Sequence, residues 1–287
     1  MAKPTEPGSR VFAAMEVPEF LFHYTSQEAF LKIVESKALW ATDILYMNDS
    51  AEFIYANTVA REVLQEYPAD QQPALAAGFQ DLNQGLSWVT EESVYVASFS
   101  ELDDSLSQWR AYCPLSSGVS IAFDRVAVEK SARAQDFRLV QCVYDFETQK
   151  RMVRDIFDRA LEEVGDEAVS RWCWGHLLEL APSLKHPTFA EEREWRLVSS
   201  SISLDDSRVQ TRAGRSMLVP YVTVSIESDT KLTIDHLKMG PTPNPDVSWL
   251  SAHRIMRVLF KKGLIAPREA GLFPVFVHQS GVPYRSW

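Results

Sequence analysis

The stretch FHYTSQEAF, residues 22–30, places a histidine, a tyrosine and a threonine side by side between two phenylalanines. Side chains alternate along a β-strand, so His23 and Thr25 would point to one face and Phe22 and Tyr24 to the other. One face would then be polar, with an imidazole and a hydroxyl that could hold a ligand. A strand end whose half-buried histidine has found a hydrogen bond explains the same residues.

The chain around this stretch predicts the elements that would position it. Apolar residues at helical spacing follow the strand, with Thr25 or Ser26 as the cap of the helix. The remaining pattern mixes strands and helices without regular alternation, which predicts an α+β fold. The predicted strands are SVYVASFSE, GVSIAFD, FRLVQCVYD, EWRLVSS, LVPYVTVSI, KLTIDHLKMG and LFPVFVH, and the predicted helices include DSLSQWRAYC and the segments at about residues 71–87 and 246–263.

Length and composition limit the class of protein. With 287 residues, 46% of them hydrophobic, the chain can bury a substantial core, and we expect a single domain over residues 1–287 with a flexible N-terminal segment at 1–18. Two amphipathic stripes predict a helical insertion at about residues 146–182, in which Trp172 and Trp174 would not both face one core.

Charge and cysteine content exclude several partners and sites. A net charge of −10 disfavours extended binding to a phosphate backbone. The three cysteines lack CxxC spacing, so neither a disulfide framework nor a structural metal site is expected. No stretch has the roughly 20 consecutive apolar residues of a membrane helix, and the first twenty residues lack the apolar centre of a signal peptide. We therefore expect a cytoplasmic protein without a membrane or metal partner.

Familiar nucleotide and hydrolase motifs are missing from the sequence. It contains no GxGxxG opening a helix, no GxxxxGK[ST], no HExxH and no GxSxG. Only 11 glycines are present, which leaves little for a loop that cradles phosphate. A nucleotide would have to be bound by another route.

Three separated segments resemble the motifs of ADP-ribosyltransferase-like folds. LFHYTSQEAFLKIVESKALWAT has a strand histidine followed by a hydroxyl residue, VYVASFSELDDSLSQWRAYC has a strand and then a helix that ends on a tyrosine, and FAEEREWRLV has a glutamate entering a strand. Together with MNDSAEF, SGVSIAFD and MGP, they also resemble the bacterial family called domain of unknown function 2971, over roughly residues 20–265. The resemblance implies a split β-sheet core with flanking helices.

The resemblance implies a catalytic set for cleavage of NAD. His23 would hydrogen-bond the adenosine ribose, Tyr112 would stack on nicotinamide, and Glu194 would grip the nicotinamide ribose and offset its developing positive charge. Glu194 is expected at an exposed strand end, where loss of its charge would change the folding free energy by no more than about 0.5 kcal/mol. The other implied contacts are Tyr24, Thr25, Ser98, Ser100 and Trp109 to the cofactor, and Glu192 and Asn48 to the acceptor.

Each implied contact has a structural alternative. Tyr112 could belong to an aromatic packing stripe, and Glu194 could form an exposed ion pair with Arg196. Glu192 could be one more solvated acid, and Asn48 could make a turn and a helix cap. Trp109 stands where relatives in the superfamily carry a small residue, which affects recognition of the carboxamide.

The function expected from this resemblance is transfer of ADP-ribose from NAD to a macromolecular acceptor, a protein or a nucleic acid, in a bacterial toxin or antiphage system. NAD would be a substrate, and an inhibitory partner protein could accompany the enzyme. Two alternatives stay open: a binding or scaffold protein that kept the fold and lost turnover, and a hydrolase of NAD.

Overall fold

The computed structural model describes residues 17–47, 51–76, 92–113, 118–163, 168–214, 216–228, 231–266 and 276–283. The helices in these ranges are α1 Gln27–Ser36, α2 Ala51–Leu64, α3 Gln72–Ala76, α4 Leu106–Tyr112, α5 Arg125–Arg133, α6 Phe146–Glu163, α7 Val169–Leu180 and α8 Pro245–Lys261. The strands are β1 Phe20–Ser26, β2 Ala38–Asp43, β3 Glu92–Ser93, β4 Tyr95–Ser100, β5 Gly118–Asp124, β6 Phe137–Gln141, β7 Glu194–Ser199, β8 Ile202–Ser203, β9 Gln210–Ala213, β10 Leu218–Ser225, β11 Glu227–Ser228, β12 Lys231–Leu232, β13 His236–Met239 and β14 Phe276–Gln279. Short 3₁₀ helices lie at Ile44–Tyr46, Ala181–Ser183 and Pro187–Glu192. The predicted α+β class is confirmed.

Local chemistry explains how the first elements form. β1 pairs with β5 along its whole length, in antiparallel register from Phe20 to Ser26. Ser26 then ends the strand and caps α1, because its Oγ accepts a hydrogen bond from the backbone N–H of Ala29 at 3.0 Å. Lys37 closes the helix in a left-handed conformation, and β2 begins at the next residue. The predicted cap at Ser26 is confirmed.

The main sheet divides at β4. Its order within the described residues is β14-β13-β5-β1-β4-β2-β10-β9, while β7 pairs with both β4 and β6. β7 follows one edge of β4 over residues 96–100. On the other edge β2 pairs at Val96 and Tyr95, whereas β1 pairs only where Phe22 meets Ser100. β1 and β2 therefore separate beside residues 97–99, and a cleft opens between them.

Three hydrophobic clusters stabilise this arrangement. The largest packs α1 and α8 against the sheet and includes Leu21, Ile121 and Met256. The second lies under α2, α6 and α7 and is centred on Phe157. The third is small and contains Phe22, Tyr24, Trp109 and Ala122, so it holds α4 against β1 and β5.

The segment with two amphipathic stripes forms α6 and α7, which pack against α2 and the second cluster. Trp172 and Trp174 are both partly exposed, but both pack against the second cluster, so the expectation that they would not both face one core is wrong. The helix expected at about residues 71–87 is present as α3 up to Ala76, and the rest of that range lies outside the described residues. Most of the N-terminal segment at 1–18 also lies outside them.

Within the described part of the chain, no helix is both long and apolar enough to cross a membrane. The same part contains no group of three or more histidine, cysteine, aspartate or glutamate side chains placed to hold a metal ion.

Candidate functional site

A cavity of about 360 Å³ lies in the cleft between β1 and β2. His23 and Thr25 reach it from β1, Ser98 from β4, Tyr112 from α4 and Glu194 from β7. The three residues predicted to be catalytic are thus brought to one cavity from segments more than 80 residues apart. Ser98 contributes a buried hydroxyl without a hydrogen-bond partner in the described residues.

The His23 imidazole is fixed by the split in the sheet. Its Nδ1 lies 2.9 Å from the carbonyl oxygen of Ser98, within the stretch 97–99 of this β4 edge that has no strand partner among the described residues. Because a carbonyl only accepts, Nδ1 carries the proton and donates it, and Nε2 of the neutral ring is an acceptor. Burial lowers the pKa of His23, with the bond to Ser98 opposing that shift, which favours the neutral form at pH 7. The ring can therefore accept a hydrogen bond from a ligand hydroxyl.

One face of α4 supplies both a ring and an amide to the cavity. Gln108 and Tyr112 are four residues apart, so they lie on the same side of the helix, and both line the cavity. Gln108 is 5% exposed, and its amide has no hydrogen bond to the described residues. Burial raises the pKa of the Tyr112 phenol, and the negative charge of Glu194 adds to this effect. Tyr112 therefore stays a neutral ring at physiological pH.

Trp109 lies outside the cavity lining, so the structure does not place it with the predicted cofactor contacts. Its ring packs edge-to-face on Tyr24 with centroids 4.6 Å apart. Its Nε1–H donates to Asp104 at 2.8 Å. The Tyr24 hydroxyl is also used structurally, since it donates to the carbonyl of Leu102 at 2.7 Å. Trp109 and Tyr24 hold α4 in place, and Tyr24 is also one of the residues that line the cavity.

Glu194 is buried at 2% exposure, so the expectation of an exposed strand-end acid is wrong. Its carboxylate accepts hydrogen bonds from Arg196 Nε at 2.8 Å and Nη2 at 2.9 Å, and it pairs with the Lys185 ammonium. Lys185 and Arg196 are each 1% exposed. Burial opposes ionisation of Glu194, but the charges of Arg196 and Lys185 outweigh it and hold the pKa at about 2.

Glu192 belongs to the same group, which we call the buried ion cluster: Lys185, Glu192, Glu194 and Arg196. Glu192 Oε2 lies 2.6 Å from Lys185 Nζ, and its backbone carbonyl accepts a hydrogen bond from the Ser100 hydroxyl at 2.7 Å. Glu192 is thus a buried partner of Lys185, and the interpretation as a solvated acid is wrong. Ser100 anchors the cluster to β4 and does not line the cavity. Asn48 lies outside the described residues.

Glu194 keeps some capacity toward a ligand. A carboxylate has about four acceptor positions, and the described partners occupy three of them. One position is left for a hydroxyl group in the cavity. The two adjacent cations offset its negative charge, so its electrostatic effect on a ligand is weaker than that of a free carboxylate.

The sequence interpretation missed the far wall of the cavity. Trp40 and Thr42 reach it from β2, Tyr46 from the adjoining 3₁₀ helix, and Arg212 from β9. In the sheet Thr42 pairs with Val96 of β4, and Glu194 pairs with Ser100 of β4. The Thr42 end and the Glu194 end of the cavity are therefore about four residues apart along β4, which is roughly 13 Å of strand. The cavity combines aromatic rings, hydroxyls and a neutral imidazole with an acidic end and an arginine end. Such a set suits a ligand that carries a flat ring, sugar hydroxyls and an anionic group.

Residues 108–197 match the model of the family described as Protein of unknown function (DUF2971). The resemblance to that family is therefore confirmed over a segment that includes Gln108, Tyr112 and the buried ion cluster. Neither the curated proteins nor the solved structures gave a match to the chain.

Proposed function

We propose that this protein is an ADP-ribosyltransferase-like enzyme that cleaves the bond between nicotinamide and ribose in NAD and transfers ADP-ribose to a macromolecular acceptor. The observation that supports the proposal most is the convergence of His23, Tyr112 and Glu194 on one cavity. They come from three separate segments, and each has the chemistry that one part of NAD needs. The split of the sheet around β4 also fits the ADP-ribosyltransferase-like arrangement.

The nicotinamide end of NAD would lie against α4. The Tyr112 ring offers a flat surface and a cation–π contact to the pyridinium before the bond breaks. The Gln108 amide, one turn earlier on the same face, can both donate to and accept from a carboxamide. Gln108 is thus a better candidate for carboxamide recognition than Trp109, which faces away from the cavity.

The hydroxyls of the two riboses would lie along His23 and Glu194. His23 Nε2 would accept a hydrogen bond from the adenosine ribose, and the remaining acceptor position of Glu194 would accept one from the nicotinamide ribose. When the C1′–N bond breaks, its electron pair leaves with nicotinamide, and positive charge develops on the ribose. The acceptor then forms the new bond at C1′ and loses its proton. Water in place of the acceptor would give hydrolysis of NAD.

One observation favours a second candidate, a binding or scaffold protein without turnover. Lys185 and Arg196 neutralise the carboxylate that would stabilise the ribosyl cation. Under this alternative NAD, or a related nucleotide, binds in the cavity and is not cleaved. A role in toxicity or antiphage defence, with or without an inhibitory partner, is compatible with both candidates and is part of the proposal.

The deciding experiment measures release of labelled nicotinamide from NAD, with and without bacterial lysate as the source of acceptor. We compare the wild type with His23→Asn, because asparagine can still donate to the Ser98 carbonyl but lacks an atom at the Nε2 position. His176→Asn is the control, since His176 is exposed and outside the cavity.

The proposal predicts release by the wild type and the control, and a large loss in His23→Asn. Release that needs lysate indicates transfer, and release without it indicates hydrolysis. If the wild type binds NAD and releases no nicotinamide under either condition, the binding-protein candidate is correct.

A further inference from the structure

Arg212 lies on the wall of the cavity opposite the buried ion cluster, on the hairpin of β9 and β10. Its Nη2–H donates to the Thr42 hydroxyl at 3.2 Å. Its Nε is buried and has no hydrogen-bond partner in the described residues. Leaving a buried N–H of a charged group unpaired is costly, so this Nε needs an explanation, and a ligand in the adjoining cavity would supply one.

Three arginines that are held by carboxylates contrast with Arg212. Arg196 is bound to Glu194, Arg154 to Glu66 and Arg208 to Asp206. Arg212 has no carboxylate within ion-pair distance among the described residues. Its positive charge therefore faces the cavity without a neutralising anion.

Trp40 lies beside the Arg212 guanidinium. The guanidinium carbon of Arg212 lies 5.8 Å from the centre of the Trp40 ring, and the Lys32 ammonium, which pairs with Glu28 at 2.8 Å, lies 6.0 Å from the same centre. Tyr221 packs on Trp40 with ring centroids 4.7 Å apart and keeps the indole in place. Contact with an aromatic ring and the bond to Thr42 hold the guanidinium while the N–H groups of Nη1 stay available to donate. The result is a held cation at one end of a cavity whose other end carries the hydrogen-bond acceptors of His23 and Glu194.

We propose that Arg212, supported by Trp40, forms an anion subsite that binds a phosphate group of a nucleotide. The guanidinium fork matches phosphate oxygens geometrically, and charge-assisted hydrogen bonds of this kind are among the strong ones. This inference rests on the proposed nucleotide cavity and names the group that the far wall recognises. It does not depend on cleavage of NAD.

The test uses ADP-ribose and inorganic pyrophosphate as probes, with binding measured by isothermal titration calorimetry. Arg212→Gln removes the charge, and Arg212→Lys keeps the charge without the fork. Arg208→Gln is the matched control, because Arg208 lies just before β9 and pairs with Asp206 away from the cavity. We expect Arg212→Gln to weaken ADP-ribose binding by about 10- to 100-fold, Arg212→Lys by less, and the control not at all. Pyrophosphate should compete with ADP-ribose on the wild type.

Three results would overturn the subsite: no ADP-ribose binding by the wild type, unchanged affinity in Arg212→Gln, or an equal loss in Arg208→Gln. If Arg212→Gln does not fold, Arg212→Lys carries the same comparison. Binding that depends on Arg212, without nicotinamide release, refutes the proposed enzyme and leaves the subsite intact. Nicotinamide release whose KM for NAD is unchanged in Arg212→Gln refutes the subsite and leaves the enzyme intact.

Discussion

Substitution of Glu194 by glutamine tests whether the buried ion cluster stabilises the fold. Glutamine keeps the size of the side chain but removes the charge that Lys185 and Arg196 share. The glutamine amide has only one oxygen, and its N–H₂ group would face the N–H groups of Lys185 or Arg196. At least one of these two buried cations would therefore lose its hydrogen-bond acceptor. Removing one member of a buried ion pair is strongly destabilising, because the remaining charge stays desolvated.

The expected loss follows from the pKa of Glu194. A folded-state pKa of about 2, against an ordinary value of 4.5, corresponds to about 3 kcal/mol of stability at pH 7. Because the folded-state pKa is the lower one, this contribution is complete above pH 4.5 and is lost as the pH falls toward 2. Glu194→Gln should therefore unfold at a lower urea concentration than the wild type at pH 7. The difference between their urea midpoints should become smaller below pH 4.5.

The assay is urea unfolding followed by tryptophan fluorescence between pH 7 and pH 3. Glu191→Gln is the control, since Glu191 lies in the same 3₁₀ helix and is exposed, and its effect should stay within about 0.5 kcal/mol. A Glu194→Gln variant as stable as the control at pH 7 would refute the buried ion cluster. Its catalytic effect must be measured where the variant is still folded.

Three further predictions concern the walls of the cavity. NAD affinity should stay constant as the pH falls from 8 through 6.5, because burial lowers the pKa of His23 and keeps Nε2 an acceptor. Calorimetry in which NAD binding is lost with a midpoint at or above pH 6.5 would contradict this assignment. Tyr112→Phe keeps the ring and should bind NAD within about 3-fold of the wild type, whereas Tyr112→Ala should bind NAD about 10-fold more weakly. Equal NAD affinities of Tyr112→Ala and Tyr112→Phe would exclude stacking. Trp109→Phe loses the hydrogen bond to Asp104 and should reduce the free energy of unfolding by about 1–3 kcal/mol, with little change in NAD affinity. A larger effect on NAD affinity than on the free energy of unfolding would place Trp109 in the NAD site.

Local sequence patterns predicted much of the fold. The alternation in FHYTS and the Ser26 cap are encoded by neighbouring residues, and both are present in the structure. Pairing partners are not encoded locally, so a split sheet was implied only by the family resemblance, and its position at β4 could not be foreseen. That split turns the His23 imidazole toward the Ser98 carbonyl, 75 residues away in the chain.

The candidate site was predictable only in part. His23, Tyr112 and Glu194 carried a family pattern, but the burial of Glu194 depends on Lys185, which reaches it from the segment after α7. Helix phase places both Gln108 and Trp109 on the side of Tyr112, because residues three and four apart are neighbours, so only the structure shows that Gln108 lines the cavity and Trp109 does not. Arg212 gave no signal, because a single arginine in a polar hairpin is indistinguishable from an exposed one until the strands pair.

The most direct measurement is a crystal structure of the protein with a non-hydrolysable NAD analogue. The proposal predicts the nicotinamide ring against Tyr112, ribose hydroxyls within hydrogen-bond distance of His23 Nε2 and Glu194, and the phosphates toward Arg212. An analogue bound elsewhere on the molecule, or bound in the cavity with its nicotinamide ring remote from Tyr112, would contradict it.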